Sequence, residues 1–192
     1  MSTGAKIALG IVGAIVLIVL IFGATIAGTY NSLVQLDQGV QSQWAQVENV
    51  YQRRADLIPN LVSTVKGYAT HEQKVFDDIA NARASLLSAR DPQGKIQANG
   101  QLDGALGRLL ALSESYPNLK ADQNFLALQA QLEGSENRIA VERRRYNETL
   151  RDYNTFIGLF PNSIWAGMAG FQRNNAYFEA SEGSRTAPVV KF

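Results

Sequence analysis

The sequence of 192 residues contains no cysteine and only one histidine, His71. Without cysteine the chain forms no disulfide, no thiolate zinc site and no cysteine-linked lipid anchor. Imidazole is the usual ligand or proton carrier of metal and acid–base sites, and here one chain supplies a single imidazole. We therefore predict no catalytic residues, no metal site and no cofactor.

His71 and Glu72 match the start of the H-E-x-x-H zinc motif, but Val75 stands where the second histidine is needed. A ferritin-like di-metal core needs Glu-x-x-His on two helices, which one histidine does not supply. We place His71 in the first turn of a helix. A membrane-bound hydrolase or metal-dependent enzyme using His71 with Glu72 or Asp56 stays open as an alternative.

Charge of one sign is also lacking. Lys6 is the only charged residue before Thr29, and the rest of the chain carries 17 basic and 17 acidic residues. This balance excludes the basic surface typical of nucleic-acid binding. About 160 residues follow the apolar N-terminal run, which is enough for one compact domain.

Residues 7–28 form an uncharged apolar run that follows a short N-terminal tail, residues 1–6. A helix of this length spans the hydrocarbon layer of a bilayer, about 30 Å. A secretory signal peptide is the alternative, but its apolar region has about 7–15 residues. We predict a retained single-pass anchor in the cell (inner) membrane. Lys6 precedes it, which favours a non-cytoplasmic position for the remainder.

Small residues recur at four-residue spacing in the anchor, at Gly10 with Ala14 and at Ala24 with Gly28. This spacing lets transmembrane helices approach closely. We therefore expect the partners to be the lipid bilayer, through residues 7–28, and a second copy or another protein.

Beyond the anchor, apolar residues recur in steps of three and four, which predicts amphipathic helices. The first stripe keeps its phase across Pro59, so we predict a long helix kinked there, with Asn60 and Asp56 beside the freed backbone groups. Thr70 and Gln73 match a capping box, and Asp122 is a candidate N-cap. The first stripe consists of Tyr30, Leu33, Leu36, Val40, Trp44, Val47, Tyr51, Ala55, Ile58, Val62, Val65 and Ala69.

A second helix carries Phe76, Ile79 and Leu86 and ends before residues 91–94, a run of breaker residues. A third lies around residues 102–112, and a second long helix extends from Asp122 to Pro161. We predict an all-α chain in which residues 29–162 form an antiparallel four-helix bundle with two long helices. Residues 163–192 are expected to form a short helix and an extended strap packed on the bundle.

Three groups of polar residues stand out. Arg53, Arg54 and Asp56 suggest an anion or lipid-headgroup site, although a pair between Asp56 and an arginine across the bundle explains them equally. Residues 143–145 are three arginines that fan around one helix, so one of them is expected to meet an acidic residue of a neighbour. The third group is expected to form a buried network that fixes helix register, and consists of Tyr30, Tyr116, Tyr146, Tyr153, Asn60, Asn147 and Asn154.

Several blocks of the sequence, in the correct order, resemble the LemA family. They are residues 30–34 (YNSLV), 53–62 (RRADLIPNLV), 65–68 (VKGY), 71–72 (HE), 82–84 (ARA), 116–120 (YPNLK), 136–140 (ENRIA), 144–147 (RRYN) and 187–192 (APVVKF). The resemblance implies a bacterial, single-pass membrane protein whose remaining part is an antiparallel helical bundle. It implies no established enzyme activity, catalytic residue or cofactor.

The function that these observations favour is a non-enzymatic scaffold or interaction module at the bacterial cell envelope. An enzyme using His71 and Glu72, and an anionic lipid-headgroup binder using the arginines near Pro59, are the alternatives.

Overall fold

The computed structural model describes residues 3–179, apart from the side chains of residues 5, 6 and 8. Within this range all regular structure is helical, which confirms the predicted all-α class. The helices are α1 (Thr3–Lys66), α2 (Gln73–Ser88), α3 (Pro92–Ser113), α4 (Pro117–Lys120), α5 (Gln123–Gly158) and α6 (Asn162–Met168). The end of the predicted strap, including the block at residues 187–192, lies outside the described residues.

Helix α1 continues without a break from the apolar run through Pro59 to Lys66. It is the one helix of the described part that is long and apolar enough to cross a membrane. The large apolar side chains described between Ile7 and Phe22 are 51–67% exposed, as expected of a helix whose solvent is lipid. The apolar run and the amphipathic stripe therefore belong to one helix.

The helix ends follow local chemistry that the sequence only partly revealed. The predicted N-cap Asp122 is confirmed, because its Oδ1 accepts a 2.9 Å hydrogen bond from the Phe125 amide. The predicted capping box is wrong: α2 begins at Gln73, so its N-cap is Glu72 and not Thr70. Asp91 caps α3 through the Gly94 amide at 2.8 Å, with Pro92 as the first helical residue.

Two compact units divide the described chain. The first contains the residues of α1 up to Gln41 together with Thr149–Asn175. Its core consists of Leu33, Val40, Leu150, Tyr153, Ile157 and Ala166. Phe160, which continues the stripe of α5 in the sequence, is 82% exposed and does not join this core.

The second unit contains Ser42–Glu148 together with the described residues from Ala176 onward. Here α2 and α3 follow each other through a short connection and pack together. The stripe of α1 faces inward as predicted, except that Leu61 is fully buried where Val62 was expected. The large side chains of this core are Tyr51, Ile58, Leu61, Val65, Phe76, Ile79, Leu86, Leu102, Leu109, Leu119, Phe125, Ile139 and Tyr146.

Candidate functional site

The most buried charge of the second unit is Arg54, which is 6% exposed. Its guanidinium forms an ion pair with Asp103 of α3 and lies 2.8 Å from a carboxylate oxygen of Glu136 on α5. Nη1 also donates to the Asn99 side chain at 3.4 Å. A buried cation needs such compensation because its desolvation costs several kcal/mol, on the order of the attraction that it regains.

Not every polar atom of this cluster has a hydrogen-bond partner. Arg54 Nε and Glu136 Oε2 are both buried without an aligned hydrogen bond, so the Glu136 contact is an electrostatic one. The side chains of Asp103 and Glu136 are 38% and 44% exposed, although the Glu136 oxygen that faces Arg54 is buried. Both acids therefore lie at the edge of the cluster, whereas the arginine side chain is 8% exposed.

Tyr51 lies one turn before Arg54, and Asp103 and Glu136 influence its pKa. Burial raises the pKa of its hydroxyl, and Asp103 and Glu136 raise it further, although Arg143 acts in the opposite direction. The hydroxyl accepts a 3.3 Å hydrogen bond from Arg143 Nε, whose guanidinium lies 5.7 Å from the ring centre. The raised pKa keeps the Tyr51 hydroxyl protonated. Its contact with Arg143 and the ion pairs of Arg54 connect α1, α3 and α5.

A second, part-buried contact supplies the hydrogen bond that Pro59 does not donate. Proline has no N–H to donate to the carbonyl four residues earlier, which is Ala55. Arg83 of α2 donates from Nε to that carbonyl at 2.8 Å. The sequence-based assignment of this role to Asp56 and Asn60 is wrong, because the Asp56 side chain accepts from Gln52 and the Asn60 carbonyl accepts from Thr64.

In the second unit the amide of Asn147 holds the C-terminal segment. Its Nδ2 donates to the Phe178 carbonyl at 2.8 Å, and its Oδ1 accepts from the Phe178 amide at 2.9 Å. The Phe178 ring stacks on Trp44 and meets Tyr146 edge to face. Arg143 lies over the Phe178 ring at 5.3 Å, so the arginine of this triplet that reaches α1 meets aromatic rings and not an acidic residue.

In the first unit Asn154 repeats this arrangement seven residues later along α5. Its Nδ2 donates to the Asn174 carbonyl at 2.7 Å and its Oδ1 accepts from the Asn174 amide at 3.0 Å. The buried Tyr153 hydroxyl donates to the Gln172 carbonyl at 2.8 Å. Burial raises the pKa of Tyr153, with Asp37 adding to the rise, so the hydroxyl stays a donor.

These contacts add to the predicted register network. Asn147, Asn154 and Tyr153 bind the backbone of residues 172–178. Tyr30 is 51% exposed and Asn60 is exposed, so neither belongs to a buried layer. Residues 171–179, the described part of the segment predicted as a strap, have no regular secondary structure.

His71 and Glu72 do not come together with further ligands. His71 is exposed and precedes α2 instead of lying in its first turn. Glu72 accepts from the Tyr116 hydroxyl at 3.2 Å, and burial together with this carboxylate raises the Tyr116 pKa. Among residues 3–179, no group of three or more His, Cys, Asp or Glu side chains is arranged to hold a metal ion.

The predicted anion site takes a different form from the one expected. Among residues 3–179, Asp56 has no arginine partner and its side chain accepts from Gln52. The buried arginine is Arg54. Arg53 is exposed and lines a groove of about 380 Å³ together with Arg138 of α5. The remaining lining residues are Leu57, Gln131, Gly134 and Ser135.

A neighbouring groove of about 260 Å³ shares both arginines and adds Glu142. Within the described chain, neither Arg53 nor Arg138 pairs with a carboxylate, in contrast to Arg54, Arg108, Arg144, Arg145 and Arg151. Glu142 already accepts from Arg145 and Gln43. The arrangement leaves two cationic donors toward one solvent-filled groove.

The sequence contains a signal for the buried position of Arg54, which the sequence analysis did not use. Arg54 lies three residues after Tyr51 and four before Ile58, which puts its side chain in phase with the apolar stripe. A charged residue in phase with a buried stripe indicates a compensated buried ion. Arg138 has no comparable signal, because its relation to Arg53 depends on how α1 and α5 pack.

The fold and these contacts define an all-helical protein in which an apolar N-terminal helix continues into a packed helical unit held by buried polar contacts. The LemA family model matches residues 43–192, and the chain belongs to the LemA family. This confirms the resemblance read from the sequence blocks. With its apolar helix, the chain is a LemA-type, membrane-associated protein.

Three relatives illustrate the similarity. Magnetosome protein MamQ 2 of Paramagnetospirillum magneticum is 28% identical over 201 residues, which cover 91% of this chain and 73% of that protein. Magnetosome protein MamQ of Magnetospirillum gryphiswaldense is 27% identical over the same length and shares of the two chains. Protein LemA of Metamycoplasma hominis is 25% identical over 166 residues, covering 86% of this chain and 75% of the relative.

Proposed function

We propose that this protein is a non-enzymatic scaffold of the bacterial cell envelope, anchored by one membrane crossing at residues 7–28. The observation that carries the proposal is the continuity of α1 from Thr3 to Lys66. One continuous helix contains both an exposed apolar half and a half whose stripe is buried. The chain therefore passes from the proposed anchor to the packed helices without an intervening loop.

The roles of the motif residues support this function. Arg54, Arg83, Asn147 and Glu136 all lie in blocks that resemble the LemA family, and each contacts another helix or the C-terminal segment. Their chemistry is accounted for by folding. The exposed surfaces of α1 and α5 are the proposed contact sites for partners. We propose that they belong to a four-helix bundle on the non-cytoplasmic side, which the position of Lys6 before the apolar run favours.

Site-specific photo-crosslinking tests the scaffold. A photoreactive residue replaces Asn49 of α1 or Asn137 of α5, both exposed, and Asn81 of α2 serves as the matched control. We expect adducts in native membranes at the first two positions, and a particle larger than one chain in mild detergent. A strictly monomeric particle with no adduct at any position would contradict the proposal.

A second candidate function is binding of an anionic group, such as a phosphate or an anionic lipid headgroup, at Arg53 and Arg138. The specific observation is that both cations line the same grooves without a carboxylate partner. Binding of inorganic phosphate and of anionic-lipid vesicles is compared for the parent and for Arg53→Gln with Arg138→Gln. Arg90→Gln, an exposed cation outside the grooves, is the control. Equal binding by all three chains would remove this function.

A further inference from the structure

A second stretch without charge lies near the end of the chain. Residues 153–172 contain no Asp, Glu, Lys, Arg or His and are flanked by Asp152 and Arg173. They include the end of α5, the connection to α6 and the whole of α6. Twenty uncharged residues are unusual in a chain in which 18% of residues are charged.

This stretch exposes large apolar side chains. Phe160 is 82% exposed, Met168 76%, Leu159 55% and Ile164 49%. Phe160 and Met168 are more exposed than any large apolar side chain described in the apolar run of α1, where the maximum is 67%. A contiguous exposed apolar patch marks a surface that is covered by something other than water.

Within the first unit, the stretch contacts the apolar run itself. The Trp165 ring of α6 meets the Phe22 ring edge to face, with centroids 5.6 Å apart. Phe22 lies six residues inside the end of the run at Gly28, which corresponds to about 9 Å along a helix. A side chain touching Phe22 from outside α1 therefore shares the surroundings of the apolar run.

A second aromatic contact fixes the direction of this approach. Phe171 meets Tyr30 edge to face, with centroids 6.2 Å apart. Tyr30 lies just beyond the apolar run, so residues 165–171 run alongside α1 from the level of Phe22 to the level of Tyr30. Tyrosine and tryptophan at these two levels match the aromatic belt that membrane proteins place at the interface.

We propose that residues 159–168 form a second membrane contact, in which α6 and the preceding connection insert into the interface of the bilayer that α1 crosses. The occupant of this apolar surface is lipid, because the surface is continuous with the apolar run through the Phe22–Trp165 contact. The segment lies in the membrane as an interfacial element and does not cross it. This inference rests on the proposed crossing at residues 7–28.

Two membrane contacts from one unit restrict its motion. A single crossing helix is free to tilt and rotate in the bilayer. An inserted segment at a second point fixes both, because its apolar side chains leave the lipid when the helix rotates. The second contact would thus hold the first unit at one tilt and one rotation relative to the bilayer.

The chain has no cysteine, so single-cysteine variants of the full chain report position cleanly. Phe160→Cys and Met168→Cys are labelled with an environment-sensitive fluorophore and reconstituted in phosphatidylcholine vesicles containing nitroxide lipids. Leu126→Cys, 42% exposed near Lys120 and Asp122, is the matched apolar control. Leu17→Cys tests the crossing itself.

We expect blue-shifted emission at positions 160 and 168 and several-fold stronger quenching by a nitroxide near the headgroup than at position 126. Emission in water-like surroundings at both positions, with position 17 quenched by a deep nitroxide, would overturn the second contact alone. A blue shift without nitroxide quenching would also overturn it, because protein would then cover the surface. Failure of quenching at position 17 would instead refute the proposed crossing.

Discussion

At the scale of single residues, the members of the Arg54 cluster differ in solvent exposure. The Arg54 side chain is buried, whereas the side chains of Asp103 and Glu136 are more than one-third exposed. Removing one member of a buried ion pair costs most when the charge that remains cannot reach water. The stability of the cluster therefore depends on which side is removed.

We expect Asp103→Asn with Glu136→Gln to lower the free energy of unfolding by about 3–5 kcal/mol, because it leaves a buried cation uncompensated. Arg54→Met should cost about 1–2 kcal/mol, since both acidic side chains lie partly in solvent and the methionine refills the volume of the stem. Denaturant unfolding in detergent measures both. A larger loss for Arg54→Met than for the double variant would show that the burial has been misjudged.

Asp122 gives a pH-dependent prediction. The Phe125 amide, followed by the Tyr68 hydroxyl, lowers the pKa of Asp122 below its usual value. A lowered folded-state pKa adds stability above the unfolded pKa and loses it as the pH falls through the folded pKa. Asp122→Ala should therefore melt below the parent at neutral pH, with the difference closing in acid.

Asp122→Asn is the matched control, because its amide oxygen still accepts from the Phe125 amide. It should retain most of the neutral-pH stability and lack the acid-dependent part. Thermal unfolding followed by circular dichroism at a series of pH values distinguishes the three chains. A gap between the parent and the alanine variant that is constant with pH would contradict the assignment.

At the scale of elements, Pro59 of α1 and Arg83 of α2 act together, because Arg83 donates to the carbonyl that Pro59 leaves without a donor. We expect Arg83→Met to cost about 1–3 kcal/mol, because the Ala55 carbonyl loses a charged donor. In a Pro59→Ala background the backbone N–H returns and serves that carbonyl, so the same substitution should cost less. A double-mutant cycle by denaturant unfolding measures the coupling.

Arg108→Met is the control for this cycle, since Arg108 pairs with Asp78 at the surface and is 58% exposed. Its small cost should be the same with proline or alanine at position 59. Full additivity of Arg83→Met and Pro59→Ala would mean that Arg83 acts elsewhere.

The asparagines of α5 hold the C-terminal segment at two separate positions. Asn147→Ala should accelerate hydrogen exchange of the Phe178 amide, and Asn154→Ala that of the Asn174 amide, because each amide loses its acceptor. Residue-resolved hydrogen exchange measures both. Asn147→Asp keeps an acceptor and should protect Phe178 better than alanine does. Unchanged exchange in the alanine variants would refute the two clamps.

Helix existence was predictable where the apolar stripe is continuous, as along α1 and α5. The start of α3 was not, because residues 93–101 are mainly polar and small, and Asp91-Pro92 serves as N-cap and first turn where we expected only a break. The contacts of Arg83, Arg138 and Asn147 depend on packing between elements distant in sequence. Periodicity places these residues on helices but does not specify their partners.

At the scale of the whole molecule, the protein combines an exposed apolar helix with a packed unit whose motif residues are engaged internally. Under the proposed scaffold function, this arrangement would separate folding from partner binding. Polar residues of the motifs would maintain the packing, and exposed helix surfaces would serve assembly. The separation is the central claim, and it requires that the buried ion cluster be replaceable without loss of assembly.

The most direct test is the triple variant Arg54→Met, Asp103→Asn and Glu136→Gln, studied by unfolding and by photo-crosslinking from position 137. Replacing a whole buried ion cluster by neutral groups of similar volume is often close to neutral. We predict a folded chain within about 1–2 kcal/mol of the parent, with the same cross-linked species. A variant that folds equally well but loses those species would contradict the account.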